Sequence, residues 1–90
     1  MWCIVEKYDE TLAVINKMAM VKMHMNAHKG AIEDCLPQDI IIMMKKEVKE
    51  LENAILDEDL MHVIEEAADV MNFIVAITHQ QITQYRERKK

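Results

Sequence analysis

Glu47 stands where an amphipathic helix should carry a hydrophobe, and three further carboxylates follow at helical spacing: Glu50 three residues on, then Glu66 and Asp69, again three apart. On a helix from Pro37 to Ile55 the neighbours of Glu47, one or two turns away, are Ile40, Met43, Met44, Leu51 and Ala54. That is the face such a helix buries. An isolated ionised carboxylate there would cost several kcal/mol even after relaxation, unless something positive meets it. Four inward carboxylates without a matching arginine point to bound divalent cations.

Each pair taken alone is weak, because charged helices carry E-x-x-E often. Lys45, Lys46, Lys49, Glu52 and Asn53 give the same stretch an ordinary solvated face. Glu47 rises above that background through its apolar neighbours, and Glu50 lies at the edge of the same arc. Further on, His62, Glu65, Glu66, Asp69 and Asn72 form a polar stripe that could simply face water. The stripe holds no lysine or arginine, however, so its carboxylates at i,i+3 and i,i+4 repel with no offset of their own. A cation would reverse the sign of that repulsion.

Donor chemistry narrows the metal. Oxygen-only ligands suit magnesium, or manganese, whereas zinc and copper sites normally recruit histidine or cysteine. Magnesium is commonly held by carboxylates together with substrate phosphates, which makes a phosphoanhydride the natural partner. The histidines do not compete for this role. His62 precedes Glu66, so no Glu-x-x-His pair of a di-iron bundle exists, and His24, His28 and His79 read as surface or core residues. Neither Cys3 nor Cys35 has a local base that would argue for nucleophilic catalysis.

Helices must position these groups. One glycine and one proline in 90 residues leave few places for turns, and no alternating strand pattern is long enough to compete. The first helix should start near Asp9 or Thr11, with Asp9 as a cap, and run to about Ala27, closed by His28, Lys29 and Gly30. Pro37 suits the first turn of a second helix reaching about Ile55. Asp57, Glu58 and Asp59 mark the next turn and place negative charge at the start of a third helix, which extends from about Glu58 past His79 toward Tyr85.

Composition sets the scale. Ninety residues with 51% apolar and only 4% aromatic content make a single domain, residues 1–90, with barely enough interior for its own core. The expected fold class is all-α, a helical bundle of three main helices per chain completed by oligomerisation as a homodimer or homotetramer. Nine methionines supply adaptable apolar volume for core or subunit-interface packing. A net charge of −5 disfavours general affinity for nucleic acid. Two separated cysteines and no signal-peptide pattern suggest a reduced, cytoplasmic setting. No uncharged apolar run approaches the roughly 18 residues of a membrane span.

The motif Glu47-Val-Lys-Glu50, a spacer of 15 residues (51 to 65), then Glu66-Ala-Ala-Asp69 resembles the signature of the MazG-type all-α nucleoside triphosphate pyrophosphohydrolases: E-x-x-E, a variable spacer, E-x-x-D. That family is related to dimeric dUTPases and phosphoribosyl-ATP pyrophosphohydrolases. The likeness spans about Ala27 to Ile77 and includes the texture of Glu65-Glu66-Ala67-Ala68-Asp69-Val70-Met71-Asn72-Phe73. His28-Lys29-Gly30 followed by Glu33-Asp34 is similar to small phage and bacterial members, although Ile32 stands where many relatives place tryptophan. The resemblance implies magnesium-dependent hydrolysis of a (deoxy)nucleoside triphosphate between the α and β phosphates, giving monophosphate and pyrophosphate in the service of nucleotide-pool control. It implies Glu47, Glu50, Glu66 and Asp69 as metal ligands and catalytic residues, one glutamate taking the proton of the attacking water. Asn72 resembles a position near metal and substrate, Lys29 a phosphate contact, and Lys22 a weaker one whose simpler role is to snorkel to solvent. A non-enzymatic helical interaction module, or a relative that binds nucleotides without cleaving them, is the alternative.

Overall fold

A computed structural model describes residues 6–89. Three helices carry the fold: α1 (Asp9–Met25), α2 (Pro37–Leu56) and α3 (Leu60–Arg88). No strand occurs among the described residues, so the all-α expectation holds. Short helical turns fill the rest, at Glu6–Tyr8 before α1 and at Ala27–Lys29 and Ile32–Asp34 between α1 and α2. Cys3 lies outside the described residues.

Helix boundaries follow local chemistry. Asp9, expected as a cap, is instead the first helical residue of α1, with Tyr8 ahead of it making no side-chain cap bond; its charge still complements the positive end of the macrodipole. Asn26 ends α1 by donating from both its backbone N–H and its side-chain amide to the Lys22 carbonyl. Gly30 then adopts φ 91°, a backbone conformation that side chains with a Cβ resist. Pro37 sits in the first turn of α2 as its missing N–H permits. Between α2 and α3 the chain turns at Glu58, whose φ of 55° is left-handed. Asp59 caps α3 by accepting a hydrogen bond from the His62 backbone N–H at 3.2 Å.

The 29 residues of α3 make it the central rod. It packs against both α1 and α2, whose backbones make no close approach to each other among the described residues. The Ile32–Asp34 turn also packs on α3, and the Gln80 side-chain amide holds it there by donating to the Glu33 and Cys35 carbonyls at 2.9 and 2.6 Å. The buried apolar residues are Ala19, Ile40, Ala54, Ala68 and Ala76, and Ile40 is the one large side chain fully enclosed among the described residues. Alanines at the contacts let helices approach closely but bury little area. The core is therefore thin. On α2, Ile40 and Ala54 are buried and Met43, Met44 and Leu51 half-buried, while Lys45, Lys49, Glu52 and Asn53 are exposed. Glu47 lies on the inward arc, as its neighbours required.

Candidate functional site

α2 contributes Glu47, and α3 contributes Glu66 and Asp69. Each offers a carboxylate oxygen within 4.8 Å of the other two. Glu66 is buried at 9% exposure; Glu47 and Asp69 are half-buried. The polar stripe expected on α3 thus splits: Glu66 and Asn72 turn inward, and His62 stays exposed. Helical period explains the grouping, since residues three apart on α3 share a face and the inward arc of α2 meets it.

The electrostatics of this group are strained by like charge. The Glu47 carboxyl is pushed up from 4.5 to about 7, first by burial, then by a hydrogen bond with Glu66 and by the negative charges of Asp69, Glu66 and Glu50. With all carboxylates ionised, Glu66 Oε2 is buried and has no hydrogen-bond partner. A proton held by Glu47 relieves both problems, because a carboxylic acid can donate to a neighbouring carboxylate. A divalent cation would relieve them in the same way and more strongly. The donor set is all oxygen, which is what magnesium or manganese takes, and the unpartnered Oε2 fits a ligand atom.

Two positive or donating groups border the cluster. Lys22 of α1 reaches Asp69 Oδ2 at 3.3 Å, with both side chains about one-fifth exposed. This corrects the expectation that Lys22 snorkels to solvent, and it corrects the picture of a cluster with no offsetting charge: the offset comes from a different helix. His62 Nε2 lies 3.1 Å from Glu66 Oε1. That contact was not expected, although the i,i+4 spacing from His62 to Glu66 was visible in the sequence.

The remaining sequence-derived positions are not all drawn in. Glu50 is exposed, one turn from Glu47, and acts on the group through its charge. Asn72 is buried one turn beyond Asp69; its amide donates to the Ala19 carbonyl at 3.1 Å, and its Oδ1 has no partner. Asn72 therefore ties α3 to α1 beside the cluster. Lys29 is exposed on the Ala27–Lys29 turn after α1. His79 pairs with Glu33 at 3.3 Å at the other end of the α3 contact. Comparison of the chain with protein-family models, with curated proteins and with solved structures gave no match.

Proposed function

We propose that the chain is a magnesium-dependent nucleoside triphosphate pyrophosphohydrolase of the MazG type. The observation that carries this reading is the convergence of Glu47, Glu66 and Asp69 from two helices, with a buried glutamate oxygen left unpartnered among them. Glu47, Glu66 and Asp69 would hold the ion, with Glu50 at the rim. Bound there, magnesium or manganese supplies neutralising charge for the phosphates and lowers the pKa of a water. The chain's part is to fix carboxylates from α2 and α3 in one place and to present them at a partly open surface, where a triphosphate can enter. Lys22, already beside Asp69, can turn from that carboxylate to a phosphate oxygen once a cation takes over the negative charge. Lys29 and Asn72 stand as further substrate contacts. Water adds across the α–β anhydride, that bond breaks, and monophosphate and pyrophosphate leave.

The same reading includes a bundle completed by a second copy, as homodimer or homotetramer. Supporting it are the thin core and an accessible surface of 7178 Å², against about 5,500 Å² for a compact chain of this mass. Cytoplasmic action on the nucleotide pool belongs to the proposal as well; no helix among the described residues is long and apolar enough to cross a membrane.

A second reading has its own observation. Ile42, Leu56 and Leu60 are exposed at 65%, 73% and 72%, and Val48, Leu51, Ile55 and Leu56, with Glu52, line a shallow, mainly apolar groove on α2. A non-enzymatic helical module would use this surface for a partner helix. Thermal melting with magnesium and a non-hydrolysable nucleotide separates the two, since a ligand that binds only the native state must raise the midpoint. The pyrophosphohydrolase reading expects a rise that Glu47→Ala and Asp69→Ala abolish along with turnover, at unchanged helicity. Full turnover in both variants contradicts it.

A further inference from the structure

The structure assigns His62 a positioning role: its Nε2 lies 3.1 Å from Glu66 Oε1, close enough to fix the Glu66 carboxyl and leave the buried, unpartnered Oε2 as the oxygen available to a divalent cation. This inference rests on the cation-site reading above and deepens it.

An i,i+4 histidine–glutamate pair on an exposed helix face would deserve little weight. Here Glu66 is 9% exposed while the imidazole is about half open, so the ring covers the outer edge of a buried carboxylate. A buried glutamate with neither oxygen engaged could rotate between orientations, each leaving polar atoms unpaired. The His62 contact, together with the Glu47 hydrogen bond to the same carboxyl, restricts that freedom. The His62 main chain is anchored by its backbone N–H, which donates to the Asp59 side chain in the cap of α3. The cap thus places the His62 backbone in the first turn of α3, and the imidazole reaches from there to the Glu66 carboxyl one turn on.

The residue type matters. An imidazole can donate one hydrogen bond while neutral, so it orients a carboxylate without adding the permanent charge that a lysine would bring. A permanent charge at that place would compete with the cation for Glu66. Partners of this kind, one step removed from the ion, commonly alter metal affinity by 10–100-fold when removed.

The test uses the full chain and Mn²⁺ alone as probe, with binding followed by electron paramagnetic resonance for the unaltered protein, His62→Ala and His62→Gln. We expect His62→Ala to weaken Mn²⁺ binding by about 10-fold or more, and His62→Gln, whose amide nitrogen can reach the same oxygen, to recover most of it. An unchanged affinity in His62→Ala overturns the inference, as does a glutamine variant no better than the alanine one at equal helicity. Nitrogen-15 spectra of the metal-free chain give a second readout: a proton on Nε2 is required, and a bare Nε2 overturns the assignment whatever the metal does. Absence of Mn²⁺ binding by the unaltered chain removes the cation-site reading itself, and this inference with it. Binding that is lost in Glu47→Gln but unaffected in His62→Ala removes this inference alone.

Discussion

Glu47 is a carboxyl group whose surroundings favour its proton. Because its folded-state value is raised to about 7 from 4.5, the folded chain binds more protons than the unfolded chain between those values. Stability contributed by the protonated group is complete below about pH 4.5 and is lost as pH rises through about 7. The metal-free melting temperature should therefore fall across this window. Glu47→Gln should flatten the fall, which assigns it to Glu47. Saturating magnesium should reverse it, since the cation favours ionised ligands. Lys22 gives a second prediction at this scale. As a built-in cation 3.3 Å from Asp69, it competes with any ion for that carboxylate, so Lys22→Met should tighten Mn²⁺ binding by roughly fivefold, the equivalent of about 1 kcal/mol for a partly exposed pair. Calorimetric titration of the metal into both proteins reads the change; weaker binding in Lys22→Met would show that the lysine does not compete.

The inward placement of Glu47 was legible because five neighbours at helical spacing are apolar, and the Glu66–Asp69 pair was legible from the missing lysines around it. Lys22 was not, because a contact between α1 and α3 depends on how two helices pack, which no local period encodes. His62 was in view but was measured against the wrong pattern, Glu-x-x-His, when its spacing to Glu66 needed only a hydrogen bond.

Among the elements, the turn from α2 to α3 holds the two halves of the cluster in register. Glu58 occupies a left-handed conformation there without being glycine, at a cost of roughly 1–2 kcal/mol. Glu58→Gly should remove that strain and raise stability by about 0.5–1 kcal/mol after the greater freedom of glycine in the unfolded chain is counted. Urea unfolding measures this, and a loss of stability would mean that the Glu58 side chain contributes more than its backbone costs. Pro37 and the acidic turn at 57–59 announced the borders of α2 and α3 because proline and a capping aspartate act through their immediate backbone. The start of α1 was less legible: Asp9 could serve as cap or first-turn charge, and the preceding turn at Glu6–Tyr8 decided it for the second role. The Gln80 clamp on the Ile32–Asp34 turn had no sequence signal, since its acceptors are backbone carbonyls more than forty residues away.

For the whole molecule, the balance between core and surface dominates. A core of four alanines and Ile40 leaves little reserve, so Ile40→Ala should cost about 2–5 kcal/mol and unfold a large fraction of the chain at ambient temperature. Circular dichroism melting would show it; a loss under about 1 kcal/mol would mean the space around Ile40 collapses on truncation. Composition foretold this thinness, because few aromatics and many methionines cannot enclose a large interior in 90 residues. The arrangement with α3 between α1 and α2 was not foretold, since amphipathic faces say which side is buried and not against what.

The central claim is that the Glu47, Glu66 and Asp69 cluster serves phosphoanhydride cleavage. The most direct measurement is release of pyrophosphate and monophosphate from a panel of the common ribo- and deoxyribonucleoside triphosphates, with magnesium and with a chelator. We expect release that requires the ion and differs among the bases. No release from any member of the panel with magnesium present would contradict the claim.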